Sequence, residues 1–246
     1  METSARISTG PAHFSRVALL HPIGLDGECW QWVDAGQSMP RHVFPGHGSR
    51  PPLTGEFSLL DLADDLADQL TDEHADIVGI SLGGAVALQF ALRYPARVKS
   101  LVVACATAVE DEAVLNRRAD AELASAQATE ATIQRWFTPE ALELDGPPVA
   151  YARRRLTAND HAAVAATWRA LARHDVIDKL QAIRAPTTLV AGVSDQSVSL
   201  SEVQEINLRI PTSRLVTIDG PHMLILENPS EFADVIVEHL RWVGSL

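Results

Sequence analysis

The sequence is organised around VGISLGG, residues 78–84, in which glycines flank a single serine. Gly79, Ser81 and Gly83 match the pattern G-x-S-x-G, in which a serine occupies a strained turn between a strand and a helix. Glycine is required there because so tight a reversal leaves no room for Cβ atoms. An apolar run of strand length precedes the serine, and apolar residues at helical spacing follow it. The motif therefore predicts a strand–turn–helix unit that presents the hydroxyl of Ser81.

Length and composition describe an ordinary globular protein. The chain has 246 residues, of which 46% are hydrophobic and 21% charged, enough for one α/β domain with an inserted subdomain. The net charge of −12 argues against nucleic acid or an anionic membrane surface as a partner. A small-molecule substrate is the expected partner, and the sequence leaves the oligomeric state open, with a homodimer among the options.

Cysteine usage and hydropathy favour the cytoplasm. Cys29 and Cys105 are the two cysteines, too few for a disulfide framework, and no spacing of histidine, cysteine or carboxylate indicates a metal. No apolar run approaches the ~18–20 residues of a membrane span, and the N-terminus lacks the apolar segment of a secretory signal. We therefore expect a soluble cytoplasmic protein without a metal.

Strand and helix patterns alternate along most of the chain. The predicted strands span 5–8, 16–21, 41–44, 75–80, 98–106, 187–193 and 214–218. The predicted helices span 30–35, 58–70, 85–94, 175–183, 200–210 and 230–243. Such alternation indicates an α/β fold with a mainly parallel sheet flanked by helices.

One segment breaks this alternation. Residues 110–172 are rich in Ala, Glu and Arg and read as several helices with no strand between them. We interpret this segment as a helical cap inserted over the carboxyl edge of the sheet, where α/β proteins bind ligands. The core domain then consists of residues 1–109 and 173–246.

Two further residues complete a catalytic pattern with Ser81. A serine hydroxyl needs a general base near pH 7, and the base needs an acid that orients it. Asp195 follows one predicted strand and His222 follows the last one, which gives the chain order Ser, Asp, His. Glu110 and Asp111, which follow the strand 98–106, are the alternative acids.

An oxyanion hole requires two convergent N–H donors. The first candidate is the backbone of Leu82, directly after the serine. The second should come from the loop HPIG, residues 21–24, where Pro22 has no N–H and Ile23 is the preferred donor.

Together these motifs resemble the α/β-hydrolase family. They are, in order, HPIG at 21–24, FPGHG at 44–48, the serine turn, GVSD at 192–195 and PH at 221–222. Within that family the chain is most similar to 3-oxoadipate enol-lactonases. The segments that carry this similarity are IQRWFTP at 133–139, WRALARHD at 168–175 and IRAPT at 183–187.

The resemblance implies an α/β-hydrolase fold and hydrolysis of an ester or lactone through an acyl-enzyme, without a cofactor. A substrate carboxylate would need a cation, for which Arg135 is the first candidate, and Trp136 beside it is a candidate pocket wall. A general carboxylesterase, a cofactor-free C–C hydrolase and a non-catalytic ligand-binding relative are the alternatives.

Overall fold

A six-stranded parallel sheet forms the centre of the protein. The computed structural model describes residues 17–36, 38–124 and 127–246. The strands are β1 (Val17–Leu20), β2 (Arg41–His42), β3 (Ala75–Ile80), β4 (Val98–Ala104), β5 (Thr187–Gly192) and β6 (Ser213–Ile218). Their order is β2-β1-β3-β4-β5-β6, and every neighbouring pair is parallel. This confirms the predicted α/β class, while the strand predicted at 5–8 lies outside the described residues.

Helices surround the sheet. They are α1 (Leu59–Gln69), α2 (Leu82–Arg93), α3 (Glu112–Ala124), α4 (Gln127–Trp136), α5 (Pro139–Leu144), α6 (Pro147–Ala158), α7 (His161–Ala172), α8 (Leu200–Arg209), α9 (Leu224–Glu227) and α10 (Pro229–Val243). Helix α2 packs on β1, β3 and β4, α8 packs on β5 and β6, and α10 packs on β4 and β6. Among the described residues, no helix combines the length and the apolar character that a bilayer crossing demands.

Two of the predicted helices are short 3₁₀ helices with different bounds. The helix predicted at 30–35 begins earlier and spans Gly27–Trp32, because the Asp26 side chain accepts a hydrogen bond from the N–H of Glu28 and caps that turn. The helix predicted at 175–183 spans only Ile177–Ala182. It begins two residues after Asp175, which forms a β-bridge with Val109, and ends five residues before β5 begins.

The segment predicted as a cap contains helices α3 to α7. Its described residues, 110–124 and 127–172, form no strand. A single β-bridge, between Val109 and Asp175, lies just outside the segment. Helix α3 packs along α7, and α4 packs on α6, so the segment has its own helix-to-helix contacts. That this segment covers the site as a cap stays a prediction.

A chain of buried hydrogen bonds crosses the sheet at the amino ends of its strands. Arg214 Nε donates to Thr188 Oγ1 over 2.9 Å, and Thr188 Oγ1 lies 2.8 Å from His239 Nδ1. His239 Nε2 lies 2.9 Å from Ser100 Oγ, which donates to the carboxylate of Asp76. Since a carboxylate only accepts, the Ser100 oxygen receives its bond from His239 Nε2–H. The imidazole therefore donates to the serine, and its Nδ1 accepts from Thr188.

The buried imidazoles are held neutral. Burial, with the charges of Arg214 and Lys99 added to it, lowers the pKa of His239 to about 3. Burial likewise lowers the pKa of His47 and of His174 to about 4. The pKa of His21 is also well below its ordinary value, mainly through burial.

These lowered pKa values predict that the protein loses stability in mild acid. Below about pH 6.5 the unfolded chain protonates histidines that the folded chain keeps neutral, so protons favour unfolding. At pH 5 this amounts to about 2 kcal/mol for His239 alone. Glu110, whose pKa burial raises to about 7, acts in the opposite direction, but it is one group against four.

His239→Gln should therefore lose about 2 kcal/mol less unfolding free energy between pH 7 and pH 5 than the wild type does. Urea unfolding at the two pH values measures this difference. His74→Gln is the control because His74 is exposed, and it should keep the wild-type difference. An equal loss in His239→Gln and in the wild type would contradict the prediction.

Candidate active site

The turn at Ser81 is built on two close backbone approaches. A Cβ atom on Gly79 would lie 2.2 Å from the carbonyl oxygen of Gly83, and one on Gly83 would lie 2.3 Å from that of Leu20. Neither distance is compatible with a side chain. Ser81 itself has φ of +56°, a conformation that non-glycine residues rarely adopt. Its hydroxyl consequently stands at the carboxyl edge of the sheet, at the amino end of α2.

The structure brings Ser81, Asp195 and His222 together. His222 Nδ1 lies 2.8 Å from Asp195 Oδ2, and His222 Nε2 lies 3.0 Å from Ser81 Oγ. Because the carboxylate only accepts, the proton is assigned to Nδ1, and Nε2 is then free to accept the hydroxyl proton of Ser81. This is the proton arrangement that a general base requires.

The carboxylate of Asp195 is fixed from both sides. Burial alone would raise its pKa, but His222 and the N–H groups of Val198 and Ser197 outweigh burial and hold the pKa below its ordinary value. Ser197 N–H and Val198 N–H donate to Oδ1 over 2.7 and 3.0 Å, which leaves Oδ2 for the imidazole. Asp195 is therefore ionised and oriented at neutral pH.

The alternative acids do not contact His222. Asp111 accepts from the N–H of Val114 over 2.9 Å and so caps the start of α3. Glu110 is partly buried, and burial, opposed by Thr107 and Arg118, raises its pKa to about 7. The imidazole bond goes to Asp195 alone among the described carboxylates.

The two proposed oxyanion donors are available. Leu82 N–H is the first N–H of α2, and Ile23 is buried in the loop after β1. Neither N–H donates to another residue in the part of the chain that the structure describes. Buried N–H groups usually have a partner, so the free N–H directly after Ser81 and the free N–H in the loop after β1, the strand paired with β3, are candidates to stabilise a developing anion.

Trp136 is close to the imidazole, and Arg135 is turned away along its own helix. The ring centroids of Trp136 and His222 are 6.3 Å apart, and Met223 N–H donates to the carbonyl of Trp136. The guanidinium of Arg135 donates to Ala131 O over 2.9 Å and to Thr132 Oγ1 over 3.0 Å. Its Nε is buried without a partner among the described residues.

Sequence reasoning missed Arg118 on α3. Its guanidinium stacks over the ring of Trp168 at 5.3 Å, and no described carboxylate forms an ion pair with it. Its charge, added to burial, lowers the pKa of Arg135 to about 10. The spacing of residues along α3 could have indicated that Arg118 faces the interior, because it lies on the same side of the helix as the buried residues Leu115 and Glu122.

Cys105 was also overlooked. It is fully buried, has φ of +46°, and follows β4. Its Sγ, an Asp195 oxygen and a His222 nitrogen lie within 4.8 Å of one another. Burial and the charge of Asp195 raise the pKa of Cys105 well above its ordinary value, so it remains a thiol. Although the three groups lie close together, Asp195 Oδ2 and His222 Nδ1 are joined by a direct hydrogen bond of 2.8 Å.

A second serine–histidine contact, between Ser100 and His239, lies at the opposite edge of the sheet. There the carboxylate of Asp76 contacts the serine and not the imidazole, and the imidazole donates its proton to the serine oxygen. Ser100 is also fully buried, whereas Ser81 is partly exposed. The arrangement at Ser100 therefore cannot remove a proton from the serine, and it is structural.

The similarity to known proteins extends over most of the chain. Residues 17–235 match the alpha/beta hydrolase family. A 3-oxoadipate enol-lactonase 1 of Acinetobacter baylyi is 30% identical over 237 residues, covering 92% of this chain and 88% of that protein. A pimeloyl-[acyl-carrier protein] methyl ester esterase of Aromatoleum aromaticum is 28% identical over 92% of this chain and 98% of that protein. The crystal structure of a hydrolase from Pseudomonas aeruginosa has a TM-score of 0.86 and 30% identity, covering 94% of this chain and 91% of that one. The resemblance inferred from the motifs is thereby confirmed.

Proposed function

The chain belongs to the alpha/beta hydrolase family, and from this we propose that it is a serine hydrolase that cleaves a carboxylic ester or a lactone. The observation that carries the proposal is the hydrogen-bonded series Ser81, His222, Asp195, with its protons placed for general-base catalysis. Its esterase and lactonase relatives support the same reaction class.

In the acylation step Ser81 Oγ attacks the substrate carbonyl carbon while His222 Nε2 accepts the hydroxyl proton. Asp195 holds the imidazole tautomer and stabilises the imidazolium that forms. When the tetrahedral intermediate collapses, the bond to the leaving oxygen breaks, and His222 gives that oxygen its proton. Water, activated by the same imidazole, then attacks the acyl-enzyme, releases the acid and restores Ser81.

The N–H groups of Leu82 and Ile23 act on the oxyanion of both tetrahedral intermediates. Each donor of this kind typically lowers the barrier by about 3 kcal/mol, because it is already oriented before charge develops. The amino end of α2 adds a favourable dipole at the same place.

Residues 110–172 act in this proposal as a cap that excludes water from the site. The proximity of Trp136 to His222 supports a role for Trp136 as a pocket wall. Arg135 would bind a substrate carboxylate after its guanidinium leaves Ala131 and Thr132, with Arg118 as a second positive charge. Neither arginine forms a salt bridge within the part of the chain that the structure describes, although Glu110 and Asp195 act on Arg118 electrostatically, and two such cations in a chain of net charge −12 support an anionic substrate.

The preferred substrate is a lactone of the 3-oxoadipate enol-lactone type. The enol-lactonase relative and the segment 133–139 support it, and a role in aromatic-compound degradation follows from it. Another carboxylic ester is the second candidate, because the methyl ester esterase is nearly as similar. The buried thiols of Cys29 and Cys105 suit a reducing cytoplasm, where we propose that the enzyme acts.

Ser81→Ala and His222→Ala should each lower kcat by at least about 10,000-fold, since each removes a group that moves in the reaction. Asp195→Asn should lower it by about 10,000-fold by favouring the wrong tautomer. Hydrolysis of p-nitrophenyl acetate measures all three. Ser100→Ala is the matched control and should keep wild-type turnover per folded molecule. Near-full activity in Ser81→Ala would contradict the assignment.

Arg135→Met should raise KM for 3-oxoadipate enol-lactone about 10–100-fold and leave KM for a neutral aryl ester within about twofold. The reason is that only the lactone carries a carboxylate. Arg169→Met is the control, because Arg169 pairs with Asp120 on the cap surface. If the wild type prefers the neutral ester, the second candidate substrate class replaces the first.

A further inference from the structure

One side of helix α6 binds the loop that carries the proposed oxyanion donor. Tyr151, Arg155 and the capping residue Asn159 are spaced four apart and so lie on the same side. Tyr151 Oη donates to Asp26 Oδ1 over 2.8 Å, and Asn159 Nδ2 donates to Gly24 O over 2.7 Å. Arg155 Nε lies 2.9 Å from Asp26 Oδ2 in an ion pair. We call these residues, with Asp26, the loop anchor.

Asp26 is the centre of the loop anchor. Its side chain is only 12% exposed, and besides Tyr151 and Arg155 it accepts the N–H of Glu28, which starts the 3₁₀ helix Gly27–Trp32. Burial raises the pKa of Tyr151 above its ordinary value, so the phenol remains a donor to this carboxylate. Both carboxylate oxygens of Asp26 thus have partners, and these contacts hold the end of the loop in place.

Helix α6 also packs closely on the loop at Gly24, a position whose positive φ favours glycine. Gly24 has φ of +74°, and a Cβ atom there would lie 2.6 Å from Leu156 Cδ2 on α6. The helix therefore packs directly on the loop backbone in addition to its polar contacts. The contact joins the inserted segment 110–172 to the loop after β1.

The other end of the loop is fixed by the core. The His21 ring has Nδ1 2.8 Å from Pro22 O, and its Nε2 accepts the N–H of Phe44 over 3.0 Å. Ile23 lies between this fixed ring and Gly24. The direction of the Ile23 N–H consequently depends on the core at one side and on α6 at the other.

We propose that Asp26, Tyr151, Arg155 and Asn159 are positioning residues that align the Ile23 N–H, so that the oxyanion hole is complete only when the inserted helices are docked. This inference rests on the proposed function. It assigns the cap a role in the chemical step itself, in addition to covering the substrate. A misplacement of about 1 Å in a catalytic group is enough to lower a rate about 100-fold.

Tyr151→Phe tests the inference because it deletes one hydroxyl and keeps the ring. Tyr151→Phe and Asp26→Asn, each as a single variant, should lower kcat for a neutral aryl ester about 10–100-fold, with KM within about threefold of the wild type. The inhibition constant of an alkyl trifluoromethyl ketone, whose adduct with serine places an oxyanion in the hole, should rise by the same factor as kcat/KM falls. The double variant should be little worse than the worse single variant, because the residues act as one unit.

Tyr94→Phe is the matched control. Tyr94 Oη donates to Asp64 over 2.6 Å at the far end of α2, so this variant also loses one tyrosine–aspartate bond. It should keep the wild-type kcat and the wild-type inhibition constant. Assays run well below the melting temperature of each variant, measured in parallel, separate misalignment from unfolding.

Three outcomes would overturn the inference, and they differ in what else they affect. Ser81-dependent hydrolysis with unchanged kcat and inhibition constant in Tyr151→Phe and Asp26→Asn would overturn the positioning role alone. A rise in KM with kcat unchanged would do the same, because it would mean that the cluster serves binding. Hydrolysis that is equal in wild type and Ser81→Ala would overturn the proposed function and this inference together.

Discussion

The site depends on how closely the backbone of α2 approaches β1 and β3. At Gly79 and Gly83 the distances exclude any Cβ atom, and Ser81 between them has a positive φ. The same turn places the hydroxyl at the carboxyl edge of the sheet, where β5 and β6 also end. Asp195 and His222 follow those strands, and the hydrogen bonds from Asp195 to His222 and from His222 to Ser81 form there.

The direction of proton donation distinguishes the proposed nucleophile, Ser81, from the structural serine Ser100. Both Ser81 and Ser100 lie within hydrogen-bond distance of an imidazole. At Ser81 the carboxylate contacts the histidine and leaves Nε2 as an acceptor, whereas at Ser100 the carboxylate contacts the serine and makes the imidazole a donor. Proximity of the three residue types therefore carries little information until the protons are assigned.

Local patterns predicted most of the fold and the centre of the site, whereas contacts between distant segments escaped them. The serine turn and the strand order along the chain are encoded in short stretches, so Ser81, Asp195 and His222 could be named from the sequence. Asp26 could not be connected with α6, because Tyr151 is 125 residues away and neither residue has a distinctive motif. The helix predicted at 175–183 is present but shorter, Ile177–Ala182, and the bridge of Asp175 to Val109, a tertiary contact, takes up the residue at which it was expected to begin.

Covalent labelling of the nucleophile would identify Ser81 directly. The protein is incubated with an alkyl fluorophosphonate, and the modified residue is located by intact-mass and peptide mass spectrometry. We expect one adduct per chain on Ser81, absent from Ser81→Ala and formed far more slowly in His222→Ala. An adduct on Ser100 or on another serine, or undiminished labelling of Ser81→Ala, would contradict the assignment of Ser81 as the nucleophile.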